Sequence, residues 1–231
     1  MIRLLLIPLL VLLQACAAPL PTHDWLGPDH AIETIRERGR RIRSLSSECS
    51  VILRGDSGSV RLEGAIAVVI GDKFRLRAWK LATPILDVTL LPDSTWVWTS
   101  PRAQDQQALA DALASLSRDA LARAIDTLAG LTLDEGSIDD PGGDHFTVLL
   151  DDLAVEIHRD TLTIRRIRAR EADAVIELDR YALGPESTVW PRRLRAASDG
   201  SSLEIRLHEP DFNSPIDDAA FRPPARATRR Q

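Results

Sequence analysis

The sequence predicts an α+β chain in which a mostly antiparallel sheet curls toward a barrel, with one helix ahead of it and one in mid-chain. Three observations predict it. Apolar and polar residues alternate over most of the chain, the period of two that gives a strand one core-facing side. The links between these runs are too short for the crossovers that parallel strands need. Two stretches, near residues 29–45 and 104–129, repeat at helical spacing instead.

The chain of 231 residues opens on a cation, Arg3, and an apolar run from Leu4 to Leu13 that only Pro8 interrupts, the layout of an export signal over residues 1–15. A bilayer span needs about 20 apolar residues, so this run is too short to be one. Residues 16–28 carry Pro19, Pro21 and Pro28 and no apolar period, and read as a semi-rigid tether reaching roughly 40 Å when extended. Asp29 is a fair N-cap for the first helix, along which Ile32, Ile35, Ile42 and Leu45 share a face. Its Arg36, Arg38, Arg40, Arg41 and Arg43 make either a solvated face, the favoured reading, or a contact for anionic lipid or an acidic partner. Cys49, among Ser50, Val51, Ile52 and Leu53, reads as a buried, inert thiol.

Then the period becomes two. Val60, Leu62, Gly64, Ile66, Val68 and Ile70 define a strand, Gly71-Asp72 a turn, and Phe74, Leu76 and Ala78 the return strand. Leu86, Val88 and Leu90 form the next strand up to Pro92-Asp93, and Thr95–Thr99 the fourth. A helix over about 104–129 follows, with Leu109, Leu113, Leu116, Leu121, Ile125 and Leu128 as its stripe and Gly130 as its stop. Strands resume around Phe146–Leu150, Leu153–Ile157, Leu162–Ile164, Ile176–Leu178, Leu194 and Leu203–Leu207, giving about ten in all. Residues 225–231 read as a disordered tail. The wet and greasy sides of such a sheet are reconciled by curling, with the mid-chain helix over the opening. Ile66, Val68, Phe74, Leu76, Val88 and Leu90 then point inward, while Trp96 and Trp98, two apart, either line a cavity or rim or pack in the core.

Charge and motif exclude several functions. With 29 Lys and Arg against 34 Asp and Glu the chain has no basic excess for nucleic acid. Gly55-Asp56-Ser57-Gly58 resembles a serine-nucleophile motif, but only His23 and His30 precede it, and a hairpin turn explains it by geometry. His23, His30, His145, His158 and His208 show no metal-ligand spacing, and Asp134, Glu135, Asp139, Asp140 and Asp144 lack the ligand pattern of a calcium loop. No catalytic residue, cofactor or metal is expected.

Leu13-Gln14-Ala15-Cys16 resembles the lipobox of bacterial lipoproteins, which implies cleavage before Cys16 and its lipidation. Ala17 is not the Asp that retains such proteins in the inner membrane, so the resemblance implies an outer-membrane anchor with the domain facing the periplasm. Element order, "GDKFRLRAWK" and the closing "EPDFNSPIDDAAFRPP", with Phe212, Asn213, Asp217 and Phe221, resemble the LolA/LolB-like lipoprotein-carrier family over residues 29–224. The resemblance implies an unclosed half-barrel whose apolar interior takes acyl chains under a helical lid. It implies a non-enzymatic protein of lipid or lipoprotein transport, with Leu113 and Leu116 of the lid lining the cavity and with Leu81 and Ile85 in a membrane-contact loop, although the alternation that flanks them favours a buried strand junction. The receptor branch's tryptophan and glutamine signature after the second strand is missing. A structural or assembly lipoprotein with a filled barrel, acting on an envelope protein partner, is the alternative.

Overall fold

One antiparallel sheet of fourteen strands organises the chain in the computed structural model, which describes residues 19–55, 58–100, 118–170, 173–198 and 200–230. The first helix, α1 (Pro28–Arg40), leads into β1 (Ser44–Gly55), β2 (Gly58–Val69), β3 (Lys73–Lys80), β4 (Thr83–Leu91) and β5 (Ser94–Thr99). The second helix, α2 (Arg118–Leu128), precedes β6 (Ser137–Asp139), β7 (His145–Leu149), β8 (Leu153–His158), β9 (Ile164–Ala169), β10 (Ala174–Leu183), β11 (Val189–Ser198) and β12 (Ser201–Leu207). Two short strands, β13 (Asp211–Phe212) and β14 (Thr228–Arg230), close the chain.

The spatial order is β14-β5-β4-β3-β2-β1-β12-β11-β10-β9-β8-β7-β6, with β13 also on β1. Two meanders are therefore joined by the β1–β12 pairing, in which Val51 opposes Ile205 and Cys49 opposes Leu207. The outermost strands, β14 and β6, do not pair with each other, so the sheet curls without closing. Strict antiparallel alternation sorts the turns onto two ends. One end carries the β1–β2, β3–β4, β7–β8 and β11–β12 turns. The other carries the β2–β3, β8–β9 and β10–β11 turns and the end of α1.

Each helix covers one half of the apolar face. Ala31, Ile32 and Ile35 of α1 pack on Phe146, Val155, Ile157 and Ile167 of the second meander. Ile125 and Leu128 of α2 pack on the first meander. The two helices meet where Gly39 passes under Ala129: a Cβ on Gly39 would lie 1.7 Å from the Ala129 carbonyl oxygen, so only glycine permits the crossing.

The convex side of the first meander is polar and covered. Arg75 reaches diagonally across β3–β4 to Asp87 in a bidentate pair, Nε to Oδ1 at 3.0 Å and Nη2 to Oδ2 at 2.7 Å, both side chains being buried. Its remaining Nη1 donates to the Ala220 carbonyl at 2.7 Å, and Thr89 Oγ1 donates to Asp87 at 3.3 Å. Ala220 belongs to a short 3-10 turn, Asp218–Phe221, that Asp217 caps and that buries Phe221. Upstream, Asn213 accepts from the Arg43 amide at 2.7 Å and donates to the Arg41 carbonyl at 2.8 Å, tying the α1–β1 junction. The closing motif is thus a clasp over the outside of the sheet.

Several expectations change. Leu45 belongs to β1, not to the first helix, which stops at Arg40; β1, a central strand, was hidden because its serines blur the alternation. Residues 228–230, expected as tail, pair with β5 because an edge strand offers unpaired backbone groups. The tether is docked from His23 onward: its amide donates to the Asp160 carbonyl at 2.7 Å, and Trp25 lies 5.3 Å from the Phe146 ring with the Arg159 guanidinium 4.2 Å above it. Buried Cys49 has its thiol pushed up to about 12 by desolvation, as an inert thiol should.

Replacing Asp87 by Asn leaves the Arg75 guanidinium buried without a counter-charge, and a loss of about 3–5 kcal/mol is expected. Urea unfolding of Asp87→Asn against the parent checks it; a change under ~1 kcal/mol would mean the pair is not structurally important.

Candidate binding cavity

Between the concave side of the sheet and α2 lies a hollow of about 130 Å³. From the first meander its wall takes Leu45, Ile66, Val68, Phe74, Leu76 and Val88. From the far side of the β1–β12 seam come Ile176, Trp190, Leu194, Ala196, Leu203, Ile205 and Leu207, and α2 roofs it with Ala124, Ile125 and Leu128. The wall is aliphatic and aromatic throughout. Such a hollow excludes water, since a buried water needs two to four polar partners.

Register explains which residues face it. In β2–β3–β4, Ile66 opposes Leu76, Leu76 opposes Val88 and Phe74 opposes Leu90, so these side chains share one face. Leu90 is buried on that face, beyond the hollow. Trp96 and Trp98 are placed differently: they oppose Thr89 and Asp87, the convex face, while Val97 between them opposes Val88. Two residues apart meant one face, and it was the outer one. Leu113, Leu116 and Cys16 lie outside the described residues, as do Asp56 and Ser57, between the paired Gly55 and Gly58.

Leu81 is 91 % exposed at the tip of the β3–β4 hairpin. Leu81 and Ala82, with φ of 48° and 61°, both occupy the left-handed region that two-residue hairpins usually fill with Asn and Gly. Ile85 is not in this loop; it sits within β4, half-buried against the first core. The second-meander wall has no local sequence signal, since Trp190 and Leu194 approach Ile66 only through the β1–β12 pairing. The 203–207 alternation gave the strand but not its neighbour.

Three of the arginines in and just after the first helix are engaged within the chain. Arg36 pairs with Asp134 at 2.8 Å, Arg38 donates to the Leu162 carbonyl at 2.5 Å, and Arg41 donates to the Glu186 carbonyl at 3.0 Å. Asp140 pairs with Arg159 and Asp144 with His145, and among the described residues no group of three His, Cys, Asp or Glu approaches metal-ligand geometry.

The roof is held unevenly. At its C-terminal end Thr127 is fully buried and its hydroxyl lies 2.9 Å from that of Thr132, beside the Gly39 crossing. Further up the helix, Arg123 bridges Asp152 at 3.1 Å, a half-exposed ion pair of the kind worth at most about 1 kcal/mol. Asp126 is a cost to the docked helix: its Oδ1 is buried without a hydrogen-bond partner, and desolvation raises its pKa against the opposing hydrogen bond of Gly71. Because the folded pKa lies above the unfolded one, the penalty is full at neutral pH and is relieved as pH falls through the raised value. Asp126→Asn is therefore expected to raise the thermal midpoint at pH 7, with the gain over the parent shrinking toward pH 4. A gain that grows on acidification would contradict this.

No family model and no curated protein matches the sequence. Solved structures do match the fold. A domain named as a candidate outer-membrane lipoprotein-sorting protein from Vibrio parahaemolyticus superposes with a TM-score of 0.55 at 12 % identity, covering 84 % of this chain and 96 % of that one. A DUF1329-family protein from Desulfovibrio piger gives 0.56 at 11 %, covering 84 % and 96 %. A LolA-superfamily protein from Nitrosomonas europaea gives 0.53 at 10 %, covering 83 % and 97 %. The chain shares the fold of these three structures: a large antiparallel sheet left open as a half-barrel, with two α-helices among the described residues.

Proposed function

We propose that this protein is a non-enzymatic, lipid-anchored envelope protein that holds the acyl chain of a lipid or lipoprotein between the half-barrel and α2. The observation that carries the reading is the dry hollow roofed by a helix that is pinned at its C-terminal end and carries the unsatisfied Asp126 over the hollow. At about 130 Å³ the resting hollow is comparable to a cavity that admits benzene, and smaller than the roughly 300–1,000 Å³ of ordinary ligand pockets. A longer chain enters by displacing α2. Withdrawing Ile125 and Leu128 costs about 3–6 kcal/mol, whereas a dozen methylenes taken from water return roughly 10, at about 0.8 each. Hydrocarbon thus outcompetes the roof. The neighbour named for lipoprotein sorting supports transport of such cargo, and Cys16 would carry the outer-membrane anchor.

A photoactivatable fatty acid added to the full chain in amphipol is expected to label residues of β3, β4 and α2, with labelling lost in Ala196→Phe, which fills the hollow. Ala124→Leu serves as the milder filling variant should the first not fold. Labelling confined to the outer surface, or unaffected by filling, would favour the filled-barrel assembly protein instead.

Leu81 would make the membrane contact. With Cys16 acylated and Cys49 buried, a nitroxide on Leu81→Cys is the single labelled site. His23 is held at the opposite end of the strands, and the stretch from Cys16 to it spans at most roughly 20 Å, so the strands lie along the bilayer when Leu81 touches it. On liposomes the nitroxide is expected to be accessible to oxygen and shielded from a water-soluble nickel chelate. Equal accessibility to both would rule the contact out.

A further inference from the structure

A second cavity, of about 250 Å³, opens beside the first at the end of the sheet that carries the β10–β11 turn. Gly184, Pro185, Trp190, Arg192, Glu209 and Phe212 contribute to its wall. Trp190 is common to this cavity and the apolar one, and Phe212 opposes Leu45, which lines the apolar one. An indole and one cross-strand pair are what stand between them.

The two cavities differ in chemistry. Arg192 and Glu209 bring a cation and an anion to the second wall, and neither is paired with another charge among the described residues. Trp190 is 5 % exposed, yet its Nε1–H has no acceptor. A buried donor left unmade costs about 1–3 kcal/mol, so an arriving acceptor has that much to recover. The wall itself is rigidly built. Glu186 and Ser187 hold φ of 54° and 59°, the Gly184 amide donates to the Thr188 carbonyl at 2.8 Å, and a Cβ on Gly184 would meet the Phe212 ring at 2.8 Å. Strain of this kind in two successive non-glycine residues persists where the surroundings enforce it, as at ligand clamps.

We infer that the second cavity is the head-group subsite of the acyl cavity, and that it takes a diacyl glycerophospholipid whose head carries both a phosphate and an ammonium. Arg192 receives the phosphate, Glu209 the ammonium, and Trp190 Nε1–H donates to an ester carbonyl where the chain passes into the hollow. An N-acylated lipopeptide fits less well, because acylation removes the ammonium that Glu209 would receive. The inference rests on the acyl-binding reading and selects among its cargoes.

Native mass spectrometry of the full chain, loaded in turn with phosphatidylethanolamine, phosphatidylglycerol, uncharged diacylglycerol and a triacylated lipopeptide, tests it. The parent is expected to retain phosphatidylethanolamine about tenfold better than phosphatidylglycerol or the lipopeptide. Arg192→Ala loses retention of both phospholipids while keeping diacylglycerol, and Arg192→Lys restores part of it. Glu209→Gln abolishes the preference for the amine-bearing head without loss of diacylglycerol. Diacylglycerol retained by every variant with no head-group discrimination overturns the subsite and leaves the acyl reading standing. A preference for phosphatidylglycerol or the lipopeptide overturns the subsite as well. Retention of none of the four overturns both.

Discussion

An open sheet with one apolar face has to be covered by something that is not sheet. In a closed barrel the strands bury their own greasy side, and side chains from opposite walls fill the centre. Here β14 and β6 stay apart, so the concave face depends on two helices. α1 is bound firmly, since Ala31, Ile32 and Ile35 enter a close-packed core around Phe146 and Arg38 is fastened to the Leu162 carbonyl. Over the other half lie Ala124, Ile125 and Leu128 of α2, and there the hollow remains.

Stiffness is built on the outside of the sheet and looseness on the inside. The Arg75–Asp87 pair, the Ala220 carbonyl and the buried Phe221 lock the convex side of the first meander, while Asn213 locks the junction between α1 and β1. The frame therefore holds its curvature independently of the roof. In α2 the conflict is local: buried Thr127 and the Gly39 crossing hold one end, and Asp126 bears a carboxylate that water would solvate better.

What could be read from the sequence was what is local. Alternation placed Ile66, Val68, Phe74, Leu76 and Val88 on one wall because cross-strand neighbours in a meander follow from chain order. The same rule could not say which face Trp96 and Trp98 occupy, since period two defines a face without naming the core. β1 was obscured by Ser44, Ser46, Ser47 and Ser50, which suit a strand whose neighbours bury it from both sides but mimic the end of a helix. Trp190, shared by both cavities, was invisible because its role comes from the β1–β12 and β11–β12 pairings, between segments some 150 residues apart in the first case. Docking of the tether through Trp25 and the pairing of residues 228–230 with β5 likewise arise from surfaces that exist only once the sheet has formed.

In the proposed function hydrocarbon and α2 compete for one face of the sheet. Amide hydrogen exchange of the full chain, followed while a long-chain lipid is titrated in, tests this most directly. Exchange over 118–128 should accelerate as lipid binds while β1–β4 become slower. Binding that leaves α2 as protected as before, or more so, would show that the helix does not give way and that the hollow is not where the chain goes.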